Sequence, residues 1–183
     1  MTVGTGIGAG IILNGSLYRG AHEASGEVCN IIPGREFLGK CYTEFGALER
    51  LASSLGIASR AREILAHRLS PTELEHLTAD DVYAASRLGE AWAQDLLAET
   101  VDYLAIGITS IAACFDPELI ILGGELARSE DLLVKPIQHR LQGALPIQPC
   151  LIPSQLGSRA VVMGAITNVL HNTADFYLVQ KLS

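Results

Sequence analysis

Near its start the chain carries a glycine at every second position, at Gly4, Gly6, Gly8 and Gly10. Glycine at this density lets the backbone pass where a Cβ would not fit, and the N–H groups that such a backbone exposes often surround a phosphate. Thr5 adds a hydroxyl donor to the same stretch. The stretch therefore predicts an anion-binding turn, with a tight hairpin turn that binds nothing as the alternative.

The residues after the glycines indicate what kind of turn this is. Ile11–Leu13 is a short apolar stretch, Asn14-Gly15 favours a two-residue type I′ turn, and Ser16–Tyr18 supplies the returning strand. A dinucleotide-binding fingerprint instead needs a helix directly after its glycines. The sequence therefore excludes a Rossmann-type turn and predicts a glycine-rich hairpin.

A second glycine pair, Gly123-Gly124, follows the apolar stretch 119–122. A continuous apolar stretch of this length is typical of a buried parallel strand, and ligands of open α/β sheets bind beyond the carboxyl ends of such strands. Small residues there allow a flat ring or a sugar to approach the backbone. An ordinary strand-to-helix turn is the alternative interpretation.

Two glutamates are candidates for binding a polar ligand. Glu27 lies in a glycine-bounded loop, and Glu49 lies on a stretch with helical apolar spacing that begins at Phe45. If both reach one pocket, their carboxylates suit hydrogen bonds from sugar hydroxyls; otherwise each is a solvated or paired acid. The histidines show no ligand spacing with one another or with the cysteines, so no metal site is predicted.

The rest of the pattern predicts the elements that position these residues. Ser70 and Thr78 are each expected to cap the start of a helix. A long helical pattern runs from about residue 80 to residue 115, and Gly89 or Gly107 could break it. Asp116-Pro117 ends this pattern, and it is followed by the strand at 119–122, a helix at about 129–142, a short strand at 150–152 and a helix at 159–170. Together these elements predict an α/β fold: a mixed sheet with an N-terminal hairpin and flanking helices.

Composition narrows the class of protein. The chain has 183 residues, 49% of them hydrophobic, which suits one compact domain, and its net charge of -7 argues against binding of nucleic acid through this chain. It has no apolar run of the ~18–20 residues that span a membrane and no signal-peptide layout. The cysteines, Cys29, Cys41, Cys114 and Cys150, are widely spaced, which predicts reduced, buried thiols in a cytoplasmic protein.

Three segments in order resemble the ROK family (repressors, open reading frames and kinases), whose members share the actin-like sugar-kinase ATPase fold. The segments are GTGIGAGIILNGSLYRGAHEASGE, FDPELIILGGELA and VVMGAITNVL. The resemblance covers nearly the whole chain but only the C-terminal half of a typical member. It implies one domain over residues 1–183, the C-terminal lobe of an actin-like, ribonuclease H-like fold, without the N-terminal lobe or any helix-turn-helix.

The resemblance also implies roles for individual residues. Gly4, Thr5, Gly6 and Gly8 would contact nucleotide phosphates, with ATP–magnesium as the candidate cofactor, and Gly123-Gly124 would lie beside the adenosine. Glu27, Asn30 and Glu49 would contact a monosaccharide or amino sugar; Glu27 matches the acid of the family's G-E-x-G-H motif.

The chain departs from the family at the residues that bind structural zinc. The histidine of G-E-x-G-H is Asn30 here, the three family cysteines fall on Lys40, Tyr42 and Ala47, and Cys41 is out of register. Zinc requires thiolate or imidazole ligands of this kind. The sequence therefore predicts no structural zinc and a sugar pocket that is altered or idle.

The family's catalytic aspartate belongs to the N-terminal lobe, and phosphoryl transfer needs groups on both sides of the cleft. This chain alone is therefore expected to be catalytically inactive. The chain also begins only a few residues before its glycines, which predicts an open edge at the first strand, suited to strand pairing or a swapped dimer.

Three functions remain open at the level of sequence. The first is the sugar-sensing and dimerisation domain of a ROK-type transcriptional regulator. It is favoured by the lost zinc ligands and by the sequence of residues 114–137, which resembles the regulators more than the glucokinases. The second is the C-terminal half of an ATP-dependent sugar kinase, favoured by the intact glycine segments. The third is a degenerate oligomer that binds no ligand.

Overall fold

The computed structural model describes residues 1–181, with side chains described for residues 1–157 and 159–170. In chain order the strands are β1 (Thr2–Val3), β2 (Ile7–Gly8), β3 (Ile12–Leu13), β4 (Ser16–Leu17), β5 (Leu119–Gly124) and β6 (Cys150–Pro153). The helices are α1 (Ala47–Ala52), α2 (Ser54–Leu65), α3 (Pro71–His76), α4 (Ala79–Arg87), α5 (Ala91–Phe115), α6 (Glu125–Arg128), α7 (Lys135–Leu141) and α8 (Ala160–Lys181). The predicted α/β class, with a mixed sheet and flanking helices, is confirmed.

The main sheet has the order β2-β1-β5-β6. β1 pairs antiparallel with β2 and parallel with β5, where Thr2 lies opposite Gly123. β5 pairs parallel with β6, where Leu119 lies opposite Cys150. The predicted open edge at the first strand is wrong, because β1 lies inside the sheet with a partner on each side.

The burial of β5 also differs from the prediction. Ile120 and Leu122 belong to the hydrophobic core together with residues of α5 and α7, whereas Leu119 and Ile121 on the opposite face are 43% and 49% exposed. Successive side chains of a strand point to opposite faces, so a continuous apolar stretch shows only that both faces are apolar. The strand is parallel, as predicted, but only one of its faces is buried.

The N-terminal hairpin follows its turn residues. β3 and β4 pair antiparallel, and Asn14 and Gly15 both have positive φ, at 51° and 79°. This is the conformation that a two-residue type I′ turn requires. The predicted hairpin is confirmed, as a small sheet separate from the main one.

The predicted helix boundaries are largely confirmed. Ser70 and Thr78 both form capping boxes, and the long helical pattern divides at Gly89, which adopts φ +86°, while α5 continues through Gly107. Asp116 ends α5 in the left-handed conformation. The helix expected at 129–142 consists of a π-helical turn at Glu130–Val134 followed by α7.

Helix α5 forms the centre of the core. By length and composition it could cross a membrane, but half of its most apolar window is buried inside the domain. It packs against α1, α2, α4 and α7. Such burial is typical of the core helix of a folded domain, and the apolar residues of α5 form part of the core here.

The cap of α4 should make stability depend on pH. The hydroxyl and the backbone N–H of Thr78 both donate to Oδ2 of Asp81, and these bonds hold the pKa of Asp81 below its ordinary value of 3.8. A depressed carboxyl pKa stabilises the fold above the ordinary value, and this contribution is lost as the pH falls through the folded-state pKa. We expect Thr78→Ala to lower the free energy of unfolding by about 1 kcal/mol at pH 7.

In urea unfolding at pH 7 and pH 3, Asp81→Asn should lose less stability on acidification than the parent chain. Asp80→Asn serves as the control, because it removes the same charge from the same helical turn without touching the cap. Equal acid dependence in the parent and Asp81→Asn would contradict this account of the cap.

Candidate functional site

The glycine turn between β1 and β2 is closed by the start of α2. Gly4 donates its backbone N–H to the carbonyl of Gly6 at 3.0 Å, and Ser54 donates its backbone N–H to the carbonyl of Gly4 at 2.8 Å. Ser53, the residue before α2, caps that helix by accepting from the N–H of Gly56. The conformation of the turn therefore depends on where α2 begins.

Glu49 is bonded to the same turn. Its Oε2 accepts a hydrogen bond from the backbone N–H of Ile7 at 2.7 Å. A Cβ on Gly6 would lie 2.8 Å from that oxygen, so a side chain there would have to displace the carboxylate. Glu49 thus joins α1 to the turn, and this contact explains why residue 6 is a glycine.

Gly4 and Gly8 have no such packing reason. The nearest atom to a Cβ on Gly4 would be Cγ of Glu125, at 4.0 Å, and nothing lies within 4 Å of a Cβ on Gly8. Within the described part of the chain, the exposed backbone N–H groups of Thr5 and Gly6 have no protein acceptor. The turn therefore offers open space and two free donors, an arrangement that fits a phosphate.

The second glycine pair is explained by packing between strands. Gly124 has φ +72°, and a Cβ there would lie 2.2 Å from the carbonyl oxygen of Val3; a Cβ on Gly123 would lie 3.2 Å from Oγ1 of Thr2. The close approach of β1 to β5 thus requires these residues to be small. The contact between Gly4 and Glu125 also places the carboxyl end of β5 beside the glycine turn.

The residues predicted to contact a sugar lie on two elements that meet at Gly46. Glu27 precedes a 3-10 turn at Val28–Asn30, and a Cβ on Gly46 would lie 2.2 Å from the carbonyl oxygen of Cys29 in that turn. The start of α1 therefore packs directly on this turn. Glu27 and Asn30 are exposed, and Glu49 is half-buried.

Cys29, in the turn after Glu27, contacts that glutamate. Its Sγ donates to Oε2 of Glu27 at 3.5 Å. Burial, the bond to Glu27 and the negative charges of Glu27 and Glu49 raise the pKa of the Cys29 thiol. Both carboxylates are therefore near one buried thiol, which remains protonated and unreactive at neutral pH. Sequence reasoning gave Cys29 no place in the site, although it stands between Glu27 and Asn30 in the chain.

Glu27 and Glu49 nevertheless face different cavities. Glu27 lines a largely apolar cavity of about 500 Å³ formed with the carboxyl end of α5, whereas Glu49 lines a cavity of about 660 Å³ beside residues 37–47. Neither of these two cavities is lined by both glutamates. A ligand that contacts both carboxylates would therefore have to extend beyond either cavity.

The residues at the zinc positions of the family do not fit zinc. Asn30, Lys40, Tyr42 and Ala47 provide neither thiolate nor imidazole. Where side chains are described, no group of three or more His, Cys, Asp or Glu is arranged to hold a metal ion. The burial predicted for the cysteines is wrong for Cys41, Cys114 and Cys150, which are exposed free thiols, and right only for Cys29.

The α/β fold, with helices packed on a mixed sheet beside the glycine turn, is the fold of the actin-like sugar-kinase class. The model of the ROK family matches residues 1–172. The chain belongs to the ROK family.

Relatives of the chain include both enzymes and repressors. It is 34% identical over 154 residues to a glucokinase of Halalkalibacterium halodurans, a match that covers 80% of this chain and 47% of the relative. It is 25% identical to a xylose repressor of Caldicellulosiruptor bescii, covering 96% of this chain and 46% of the repressor. The structure of a ROK glucokinase from Streptomyces griseus in complex with glucose and AMPPNP matches with a TM-score of 0.70 and 24% identity, covering 87% of this chain and 55% of that one. The chain thus spans about half the length of these relatives.

Proposed function

We propose that this chain is the sugar-sensing domain of a ROK-type transcriptional regulator that acts in the cytoplasm. The observation that carries the proposal is the packing of α1, which bears Glu49, on the turn at Val28–Asn30, which directly follows Glu27. Sugar hydroxyls would donate hydrogen bonds to both carboxylates, and the amide of Asn30 would donate or accept one more. The similarity to a xylose repressor over 96% of the chain supports the regulatory role.

Glu49 provides a route from sugar binding to a change in the protein. Its Oε2 already accepts a hydrogen bond from the N–H of Ile7. A sugar hydroxyl that donates to the same oxygen would weaken this bond and so change how α1 contacts the glycine turn. A ligand shifts a conformational equilibrium only through contacts that differ between the two states. The bond between Glu49 and Ile7 is such a contact.

We further propose that residues 1–183 form a single domain that assembles as a homodimer. Exposed apolar side chains, among them Ile121 and Ile152 on the sheet and Val161 and Val162 on α8, would be buried against a second copy. Light scattering on the purified chain tests this: a monomer at micromolar concentration would contradict the dimer.

To identify the ligand, the purified chain would be mixed with hexoses, N-acetylhexosamines and xylose, and the midpoint of thermal unfolding measured. A ligand that binds the folded state raises this midpoint by mass action. We expect at least one sugar to raise it and Glu27→Gln to reduce the shift. If no sugar raises it, the proposal is wrong and a domain without ligand becomes the better description.

A second candidate function, the C-terminal half of an ATP-dependent sugar kinase, is favoured by the open space at Gly4 and Gly8 and by the free N–H groups of Thr5 and Gly6. These groups would hold the phosphates of ATP–magnesium, with Gly123-Gly124 beside the adenosine. The nucleotide would supply the phosphoryl group. This lobe would bind and orient it, and the group that takes the proton of the sugar hydroxyl would come from a second lobe.

Gly8→Val tests this second function. A valine side chain at residue 8 fills space that the protein leaves open, so we expect little change in stability and at least a tenfold loss of affinity for ATP–magnesium, if the nucleotide binds. Calorimetric titration measures the affinity, with Gly164→Ala on α8 as the control, since nothing lies within 4 Å of a Cβ there either. If the parent chain binds ATP–magnesium and Gly8→Val binds it equally well, the turn is not the phosphate site.

A further inference from the structure

Residues 31–46 connect the turn at Val28–Asn30 to α1 and contain little regular structure. Within the described chain the only helical turn in this segment is at Arg35–Phe37, and no strand pairs with it. A segment of this length needs side-chain contacts to remain in one conformation. Because its last residue is Gly46, its conformation also sets how α1, and with it Glu49, approaches the turn at Val28–Asn30.

The segment is first held by contacts within itself. The hydroxyl of Tyr42 donates to the carbonyl of Phe37 at 3.1 Å. The ammonium of Lys40 lies over the ring of Phe37, 5.3 Å from its centre, which is within the range of a cation–π interaction. These contacts fold residues 37–42 into a compact loop around the ring of Phe37.

The loop is then attached to α5 and α2. The rings of Phe37 and Tyr103 meet edge to face, with centres 5.8 Å apart and planes at 82°, the geometry that aromatic pairs favour. The guanidinium of Arg60 lies 5.6 Å from the centre of the Tyr103 ring. Arg60 also donates to the carbonyl of Leu51 at the end of α1 and pairs with Glu99 on α5.

A third attachment joins the loop to α1 itself. The guanidinium of Arg50, the residue after Glu49, lies 6.0 Å from the centre of the Tyr42 ring. The contacts therefore form one connected set that joins the loop to α1, α2 and α5. We call this set the aromatic–cation clasp; its members are Phe37, Lys40, Tyr42, Arg50, Arg60 and Tyr103.

We propose that the aromatic–cation clasp holds residues 31–46 in place without a metal ion. Two of its members, Lys40 and Tyr42, stand where the family resemblance puts zinc thiolates, and both make the contacts that close the loop. A zinc ion holds a loop through four bonds to one metal centre, so that the loop is no longer held once the metal is removed. The aromatic–cation clasp instead holds the loop through a hydrogen bond, an aromatic pair and three cation–π contacts. This inference concerns the stability of the loop and does not depend on the proposed function.

The first test is metal content and chelation. The full chain would be purified without chelator, its zinc content measured by mass spectrometry, and its thermal midpoint compared with and without EDTA. The clasp predicts far less than one zinc per chain and no shift of the midpoint with EDTA. Stoichiometric zinc, or a midpoint that falls on addition of EDTA, would overturn the proposal.

The second test removes contacts of the clasp. Tyr42→Phe deletes the hydroxyl and keeps the ring, and it should lower the thermal midpoint by about 2–4 °C and speed proteolytic cleavage within residues 38–45. Tyr18→Phe, which deletes the hydroxyl of an exposed tyrosine on the hairpin, is the matched control and should change neither measurement. If Tyr42→Phe behaves like Tyr18→Phe in both, the clasp does not hold the loop.

A double-mutant cycle covers the case in which larger changes unfold the protein. Phe37→Leu and Tyr103→Leu, made singly and together, keep an apolar side chain at each position while removing the edge-to-face pair. The clasp predicts that the two losses of stability are not additive, because both remove the same contact. Strictly additive losses would show that the two rings are energetically independent and would contradict the connected set.

Discussion

Replacing Gly46 with alanine is expected to lower the free energy of unfolding by about 2–4 kcal/mol and to abolish sugar binding. The backbone of Gly46 has φ -61° and ψ 160°, which any residue adopts, so the cost is purely one of space. The Cβ would lie 2.2 Å from the carbonyl oxygen of Cys29, and no side-chain rotation can relieve a clash with backbone. Helix α1 would have to move away from the turn at Val28–Asn30 and carry Glu49 with it.

Urea unfolding of Gly46→Ala measures the loss of stability. Gly8→Ala is the matched control, since it adds the same methyl group at a position where nothing lies within 4 Å. We expect the control to stay within about 0.5 kcal/mol of the parent chain. Equal stability of the two variants would mean that α1 and the turn are farther apart in solution than the contact at Gly46 requires.

Replacing Glu49 with alanine is expected to affect both candidate sites. It leaves the N–H of Ile7 without its acceptor, which costs about 1–3 kcal/mol of stability where the group is buried. It also removes a charged acceptor from the proposed sugar site. Hydrogen bonds to charged groups contribute about 1.5–3 kcal/mol, so the affinity for sugar should fall by a factor of roughly 10–100.

Glu49→Gln separates the two effects. The amide oxygen of glutamine can still accept from Ile7, so most of the stability should remain, whereas the lost charge should still weaken sugar binding. Calorimetric titration and urea unfolding of both variants give the comparison. A Glu49→Gln variant that binds sugar as tightly as the parent chain would contradict the role assigned to this carboxylate.

The features predicted correctly from the sequence are those determined by residues close together in the chain. The turn at Asn14-Gly15, the capping boxes at Ser70 and Thr78 and the helix break at Gly89 each depend on residues within about four positions. Their backbone conformations follow from local hydrogen bonds and from the freedom of glycine. Such local signals determine the elements, and the three motifs in order indicate the ROK family, whose family model matches residues 1–172.

The features that could not be predicted depend on contacts between distant residues. Glu49 and Ile7 are 42 positions apart, and their hydrogen bond places the Glu49 carboxylate against Gly6. Gly6 therefore has a packing role, whereas its spacing alone predicts a role in ligand binding. Gly123-Gly124 likewise serves the approach of β1 to β5, over 120 positions away. The same pattern of glycines therefore contains both packing positions and open ones, and only the neighbouring atoms distinguish Gly6 from Gly8.

The open face of β5 has a similar explanation. Apolar residues occur at every position of 119–122, yet among the residues with described side chains the helices bury only the side of Ile120 and Leu122. Hydrophobicity indicates that a surface is suited to burial, and it does not identify the element that covers it. The departure at the zinc positions, in contrast, was visible in the sequence, because thiolate and imidazole ligands cannot be replaced by lysine, tyrosine or alanine.

The most direct test of the central proposal is calorimetric titration of the purified chain with the sugar that most raises its thermal midpoint, in the presence and absence of ATP–magnesium. The sensor account predicts one sugar per chain, bound without nucleotide, no ATP hydrolysis, and weaker binding by Glu27→Gln and Glu49→Gln. Sugar that binds only with ATP–magnesium, or sugar-dependent hydrolysis of ATP by this chain, would contradict it.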